Sequence, residues 1–113
     1  MKKNLFVPVI LFTLISLSNL SCKKTPDEDI SRDITITDGA FVSPTFFIKK
    51  TQTVVWANLG TSNHTVTSDT GTELNSPTIL PGKTFPHIFN TAGTFTYHCS
   101  IHPSETGSIT VHP

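Results

Sequence analysis

Charged residues, methionine and basic runs are all scarce in this chain of 113 residues, which is long enough for one domain. Only 14% of the residues are charged, with eight acids against eight bases. No basic run is available to neutralise phosphates, so binding to a nucleic acid is not expected. The only methionine is Met1, and tracts rich in methionine or histidine are absent. Threonine, serine, proline and glycine are plentiful instead, which is typical of a compact β domain with many turns.

The first 21 residues have the pattern of a secretory signal peptide. Lys2 and Lys3 form a short positive segment, and an apolar run follows from Leu5 to Leu17. This run is too short for a comfortable membrane span. We therefore predict that residues 1–21 are removed on export, which leaves six bases against eight acids.

Cys22, one of only two cysteines, stands directly after this segment. The residues from Ser18 to Cys22 resemble a bacterial lipoprotein cleavage site, where the cysteine is lipidated and becomes the new N-terminus. Small Ser21 fits that pattern, whereas Asn19 stands where leucine is usual. The resemblance implies a bacterial lipoprotein that is exported and anchored at the periplasmic face or the cell surface. The alternative is an ordinary signal peptide cut nearby, which leaves Cys22 as a free thiol.

The remaining chain divides into a short tether and one β domain. Residues 22–32 are charged and aperiodic, as expected of a tether that follows the lipid anchor. Residues 33–113 show no helical periodicity, and short runs rich in threonine, valine, isoleucine and phenylalanine alternate with turn residues. The predicted strands are Ile34–Thr37, Phe46–Lys49, Thr53–Asn58, His64–Ser68, Thr84–Asn90, Gly93–Cys99 and Gly107–Val111. About seven strands at this spacing predict an all-β sandwich.

Alternation along the last two predicted strands indicates which side chains face the core. Phe95, Tyr97 and Cys99 share one apolar face, while Thr94, Thr96 and His98 share the other. In the final strand Ile109 and Val111 are expected to point inward. We therefore predict that Cys99 points into the sandwich at the end of its strand.

Cys99 and His102 have a spacing at which both can bind one metal ion. A histidine three residues after a strand-end cysteine can bend back to the same ion, and His64 on a neighbouring strand would complete three ligands. One thiolate, two imidazoles and a weak axial group define a blue copper site. Three interpretations compete with a metal ligand at Cys99. It could be a catalytic nucleophile, which requires an accessible cleft, a plain core cysteine, or half of a disulfide with Cys22, which nothing local supports.

Five segments in order carry a resemblance to a known family. They resemble the plastocyanin and amicyanin branch of the cupredoxins, and they are Phe41–Pro44, Val55–Asn58, His64–Asp69, Leu80–Phe85 and Gly93–Pro103. The resemblance covers about residues 33–112. It implies a cupredoxin-like Greek-key β-sandwich of seven to eight strands, which is a monomer and holds one copper ion. The copper ligands that it implies are His64, Cys99 and His102.

Two positions depart from the family pattern. Thr51 stands in the turn before Trp56, where a glycine is usual. Glu105 stands two residues after Pro103, where relatives with this loop length place the axial methionine. Glu105 either coordinates the metal or turns into water, and the resemblance implies the backbone carbonyl of Asn63 as a second axial candidate. A bound carboxylate would favour Cu(II), lower the reduction potential and make the site more congenial to zinc.

The expected function is one-electron transfer between Cu(II) and Cu(I) outside the cytoplasm, without enzymatic activity. The resemblance implies that redox protein partners dock near the ring edge of His102, through a small and weak interface. The alternative is a membrane-tethered module that buffers or delivers copper through a His-Cys-His-Glu site, which Glu105 would favour. The identity of the redox partner and the reduction potential are not encoded in any motif.

The remaining polar and aromatic residues receive simpler interpretations. His87, His98 and His112 are expected to face solvent rather than a metal. The aromatic side chains expected in the core are Trp56, Phe85, Phe89 and Phe95. Thr65 follows His64 where several relatives of the resembled family carry asparagine, and its hydroxyl is expected to brace the ligand loop. Ser100 is expected to supply a further hydrogen bond near the sulfur.

Overall fold

The structure, a computed structural model, describes residues 32–113. The predicted signal peptide, Cys22 and the tether up to residue 31 lie outside the described residues. Residues 32–113 contain eight strands and no helix, and therefore no helix that could cross a membrane. The strands are β1 (Ile34–Ile36), β2 (Phe41–Val42), β3 (Thr45–Lys49), β4 (Thr53–Asn58), β5 (Thr67–Ser68), β6 (Thr84–Ile88), β7 (Gly93–His98) and β8 (Thr106–His112).

The strands form two mixed sheets of four strands each. The first sheet has the order β2-β1-β4-β6, and the second has the order β3-β8-β7-β5. Each sheet contains one parallel pair: β1 with β4, where Ile34 lies opposite Trp56, and β3 with β8, where Thr45 lies opposite Ser108. The remaining strand pairs are antiparallel. The all-β sandwich expected from the sequence is confirmed, with eight strands.

Aromatic side chains join the two sheets through the core. Trp56 of β4 and Tyr97 of β7 are both fully buried, and their rings meet edge to face at 5.6 Å. The indole Nε1–H of Trp56 donates a hydrogen bond to the Tyr97 hydroxyl at 3.2 Å. Burial raises the pKa of Tyr97 to about 12, and the hydrogen bond from Trp56 opposes that rise. Phe89 is also fully buried, while Phe85 and Phe95 pack against the core from its edge.

The predicted alternation of the last strands is confirmed. Tyr97, Cys99 and Ile109 are fully buried, whereas Thr94 and Thr96 are exposed. Cys99 itself follows the last residue of β7, so the strand places its sulfur at the end of the sandwich. The sequence pattern therefore located the inward face of β7 correctly.

The structure differs from the prediction at β2 and β5. Phe41–Val42 forms a strand that was not predicted, because two residues are too few to show an alternation. The predicted strand over His64–Ser68 is reduced to Thr67–Ser68. His64 instead forms an isolated bridge with Ile79, and the N–H of Val66 donates to the Ser76 hydroxyl. The backbone near His64 is thus bonded to a loop rather than to a neighbouring strand.

Thr51 occupies a conformation that usually belongs to glycine. Its φ angle is 72°, in the left-handed region that is unfavourable for a β-branched residue. The turn is closed by hydrogen bonds from the N–H of Thr51 to the carbonyl of Phe89 and from the N–H of Gln52 to the carbonyl of Lys49. The departure from the family pattern at Thr51 therefore leaves the turn in place but strains it.

Candidate metal site

The loop between β7 and β8 carries three of the predicted ligands. Cys99, His102 and Glu105 lie between the end of β7 at His98 and the start of β8 at Thr106. The loop closes on itself, because the N–H of Cys99 donates to the Glu105 carbonyl at 3.0 Å and the N–H of Glu105 donates to the His102 carbonyl at 2.9 Å. These two bonds fold the loop so that its three functional side chains face the same point.

His64 reaches the same point from a different part of the chain. Reciprocal backbone hydrogen bonds hold it to Ile79, with N···O distances of 3.2 and 2.7 Å. Its imidazole is completely buried, and its Nδ1 atom faces the β7–β8 loop. The predicted metal residues His64, Cys99, His102 and Glu105 are thus brought together, with one donor atom of each within 4.8 Å of all the others.

Three of the four measured distances between these donor atoms fit one metal ion, and the fourth, between His64 and Glu105, is a hydrogen-bond distance. Atoms bound to a metal at about 2.0–2.3 Å lie roughly 3.3–3.7 Å from one another. The Cys99 sulfur is 3.8 Å from His64 Nδ1 and 3.7 Å from His102 Nδ1. Glu105 Oε1 is 3.6 Å from His102 Nδ1 and 3.0 Å from His64 Nδ1. The Cys99 sulfur, two imidazole nitrogens and a carboxylate oxygen therefore surround one small polar space.

Glu105 is directed inward, which answers one question that the sequence left open. Glu105 is only 5% exposed, and its Oε1 atom lies within 3.6 Å of a nitrogen of each imidazole. A carboxylate that turned into water would be exposed and would leave the imidazoles. The buried carboxylate instead lies beside the other three donor atoms, next to the buried His64 ring.

Thr65 connects the His64 segment to the ligand loop. Its backbone N–H donates to the Cys99 sulfur at 3.3 Å, and its hydroxyl accepts a hydrogen bond from the Ser100 N–H at 2.8 Å. The expected bracing role of the Thr65 hydroxyl is therefore seen in the structure. Ser100, which is expected to supply a hydrogen bond near the sulfur, is bonded to the Thr65 hydroxyl through both its N–H and its own hydroxyl, while the Thr65 N–H donates to the sulfur itself.

Asp38 was not predicted to belong to the site. It lies between β1 and β2, and its Oδ1 atom is 3.3 Å from Nε2 of His64, on the opposite side of the ring from the ligand loop. Hydrogen bonds from the hydroxyl and N–H of Thr61 and from the N–H of Ser62 hold the pKa of Asp38 well below its usual range. The sequence signal was only an Asp-Gly turn, which does not reveal what the turn approaches in space.

The remaining histidines lie outside the metal cluster. His87 pairs with Glu73 at 2.7 Å, and His98 pairs with Asp69 at 2.6 Å. The hydrogen bond from His98 lowers the pKa of Asp69. His112 is exposed and its ring stacks on Phe47. Within residues 32–113, only His64, Cys99, His102 and Glu105 form a group that could hold a metal.

Comparisons with known proteins agree with this architecture. A sequence model of the cupredoxin-like domain matches residues 6–111, and the chain belongs to this family. A purple cupredoxin from Nitrosopumilus maritimus is 28% identical, with a TM-score of 0.65 over 72% of this chain and 99% of that chain. Amicyanin from Paracoccus versutus is 24% identical, with a TM-score of 0.66 over 80% of this chain and 92% of that one. A comparison with curated proteins finds no match.

Proposed function

We propose that this protein binds one copper ion through His64, Cys99, His102 and Glu105 and transfers single electrons. The observation that carries the proposal is the convergence of one thiolate, two imidazoles and one carboxylate in a cupredoxin-like fold. A soft thiolate favours Cu(I), while imidazole accommodates both oxidation states. Similar structures include a reduced Cu(I) form of an amicyanin variant, with 23% identity and a TM-score of 0.67. We propose no enzymatic activity for the protein.

A copper titration tests this proposal. We expect the chain from Lys23 onward to bind one equivalent of Cu(II) and to develop an intense thiolate-to-copper absorption band. Narrow copper hyperfine splitting in the EPR spectrum would indicate a blue site with Glu105 at a distance, and would remove Glu105 from the proposed ligands. A shifted band with wide splitting would indicate that Glu105 is a ligand. Zinc binding without any coloured copper species would refute electron transfer while leaving the fold intact.

Glu105 is the position at which the reduction potential is most easily changed. A bound carboxylate is hard and negatively charged, so it stabilises Cu(II) over Cu(I). We expect Glu105→Met and Glu105→Gln each to raise the reduction potential, measured by voltammetry. Glu73→Gln is the matched control, because it removes the same charge from a surface pair with His87. Unchanged potentials in both Glu105 variants would show that this side chain does not bind copper.

The electron port is expected to be the ring of His102. Its side chain is 36% exposed, whereas Cys99 and His64 are completely buried. Exposed apolar residues follow at the same end of the sandwich: Leu59 after β4, Leu80 beside Ile79, and Ile101 in the ligand loop. An apolar surface of this kind suits a brief contact with a redox partner.

Electron self-exchange between two copies of the protein provides a test of this port. We expect Ile101→Lys to slow self-exchange, because it places a charge beside His102 and like charges repel. Ile88→Lys is the control, since Ile88 is also about half exposed but pairs with Thr53 at the start of β4, away from the site. Equal rates in the two variants would place the port elsewhere.

Copper buffering or delivery is the second candidate function. The observation that favours it is the burial of the Glu105 carboxylate 3.0 Å from His64 Nδ1, since an additional hard ligand stabilises Cu(II) and slows its reduction. The rate of electron self-exchange separates the two functions. Fast exchange supports electron transfer, whereas a buffer has no need of it.

We also propose that the domain is exported and anchored to a membrane through a lipid on Cys22. The support is the sequence pattern of residues 1–22, which lie outside the described residues. Each buried methylene of a lipid chain contributes about 0.8 kcal/mol, so several chains anchor a protein firmly. The wild-type chain is expected in the detergent phase and Cys22→Ala in the aqueous phase. A Cys22→Ala protein that still fractionates with membranes would refute the anchor.

A further inference from the structure

The buried ring of His64 lies between two carboxylates. Glu105 Oε1 is 3.0 Å from Nδ1, and Asp38 Oδ1 is 3.3 Å from Nε2. The Cys99 sulfur, 3.8 Å away, is also on the Nδ1 side. The donor atoms of Glu105 and Cys99 therefore lie on the Nδ1 side of the ring, while Nε2 points toward Asp38.

Asp38 is held in this position by the segment that precedes His64. Both carboxylate oxygens accept a hydrogen bond from the N–H of Thr61, at 3.0 and 2.9 Å. The Thr61 hydroxyl donates to Oδ2 at 2.6 Å, and the N–H of Ser62 donates to Oδ1 at 3.1 Å. Four hydrogen bonds thus orient a side chain that is 41% exposed.

Gly60 provides the space for this arrangement. A Cβ atom at position 60 would overlap the Asp38 carboxylate and approach the Asp38 backbone nitrogen at 3.1 Å. The N–H of Gly60 is bonded to the side chain of the buried Asn58, which also donates to the carbonyls of Ser62 and Ile79. The loop is therefore built to bring Asp38, Thr61 and Ser62 together beside His64.

The chemistry of imidazole determines what Asp38 does there. A neutral imidazole carries one proton, and it binds a metal through the other nitrogen. A carboxylate at Nε2 accepts a hydrogen bond from Nε2–H, so it favours the tautomer in which Nδ1 has a free lone pair. Such a partner also fixes the ring orientation and makes the imidazole a stronger donor.

We propose that Asp38 is a positioning residue that holds His64 for the metal ion and strengthens its bond to Cu(II). This inference rests on the proposed function, since it requires a metal ion on Nδ1 of His64. A stronger donor stabilises Cu(II) more than Cu(I), so Asp38 lowers the reduction potential. Asp38 and Glu105 then act in the same direction from opposite sides of one ring.

The test compares Asp38→Asn with wild type, using the full chain purified in detergent. Asparagine has no charge and only one acceptor oxygen, whereas both carboxylate oxygens of Asp38 accept hydrogen bonds in the wild type. Asp33→Asn is the matched control, because Asp33 also accepts a backbone N–H, that of Val55, but lies before β1 rather than after it. The measurements are affinities for Cu(II), Cu(I) and Zn(II), the reduction potential, and the proton NMR shift of His64 Nε2–H in the zinc-bound state.

We expect Asp38→Asn to weaken Cu(II) binding about tenfold with little change for Cu(I), as is typical when such a partner of a ligating histidine is lost. A tenfold fall in the affinity for Cu(II) relative to that for Cu(I) raises a one-electron potential by about 59 mV. The Nε2–H resonance should move in Asp38→Asn, and Asp33→Asn should match wild type in every measurement.

The outcomes separate this inference from the proposed function. If Asp38→Asn is merely less stable, with an unchanged potential and an unchanged Nε2–H shift, Asp38 only caps a loop and the inference is wrong. If Asp38→Asn does not fold, the wild-type NMR spectrum still tests the inference. A hydrogen bond to a carboxylate moves the Nε2–H resonance downfield, and a wild-type resonance without that shift overturns the role of Asp38. If wild type binds zinc but forms no coloured copper species, electron transfer fails, while the zinc affinities and NMR shifts still decide the role of Asp38. Wild type that binds neither metal overturns both.

Discussion

The hydrogen bond between Trp56 and Tyr97 makes a sharp prediction about stability. Tyr97→Phe removes one oxygen atom from the core and leaves the ring in place. The Trp56 Nε1–H donates to that oxygen at 3.2 Å, and both side chains are completely buried. No water can reach the donor in the intact core, so the variant leaves it without a partner.

The expected loss follows from that geometry. A buried donor that loses its acceptor costs about 1–3 kcal/mol, whereas the cavity left by one oxygen atom is small. The same hydroxyl also joins β4 of one sheet to β7 of the other. We therefore expect Tyr97→Phe to lower the free energy of unfolding by about 1–3 kcal/mol, out of a total of roughly 5–15 kcal/mol for a domain.

Urea unfolding followed by tryptophan fluorescence is the suitable assay, because Trp56 is the only tryptophan in the chain. Thr94→Val serves as the control: it removes a hydroxyl from the same strand at an exposed position, where changes stay within about 0.5 kcal/mol. A Tyr97→Phe protein as stable as wild type would refute the reasoning, since it would mean that the buried indole N–H needs no partner.

Three further predictions concern stability. Burial raises the pKa of Tyr97 to about 12 from 10.0, so the stability that the neutral Tyr97 hydroxyl gives the folded state is complete below pH 10 and is lost between pH 10 and 12. At 1.36 kcal/mol per pH unit, the free energy of unfolding should fall by about 2–3 kcal/mol over that interval. Unfolding measured at several pH values, together with tyrosinate absorbance, would contradict this if the stability stayed constant. Thr51→Gly should raise the free energy of unfolding by about 0.5–1 kcal/mol, because relief of the left-handed strain at φ 72° exceeds the greater chain entropy of glycine, and a loss of stability would argue against strain. Gly60→Ala should lower it by about 1–3 kcal/mol through overlap with Asp38, whereas Gly39→Ala, which meets no atom within 4 Å, should have little effect.

Much of the site could be predicted because its residues lie close together in sequence. The alternation in β7 fixes the direction of Cys99, and a histidine three residues later can reach the same ion. These inferences depend on local geometry alone. His64 was added by its position in the family pattern, and the structure confirms that it meets the loop.

The parts that could not be predicted depend on contacts between distant segments. Glu105 lies inside beside the buried ring of His64, 41 residues earlier in the chain, and no local pattern predicts that contact. Asp38 reaches His64, 26 residues further along the chain, only because β1 and β4 pair in parallel. The strand predicted over His64–Ser68 was too long because a distant loop, not a neighbouring strand, supplies the hydrogen-bond partners of its first residues.

The parallel pairing of β3 with β8 bears on the order in which the protein folds. Their register joins Thr45 to Ser108, residues that are 63 positions apart, and contacts at such separations form slowly because a long loop must close first. The Cys99–Glu105 loop bridges β7 and β8, so its closing bonds require β8 to be in place. His64 meets this loop across 35 to 41 residues of chain, so we expect the four donor atoms to converge later than the β7–β8 hairpin forms. We expect the Cys99 thiol to be open to oxidation or alkylation until His64 reaches the loop, and copper to bind after the sandwich has assembled.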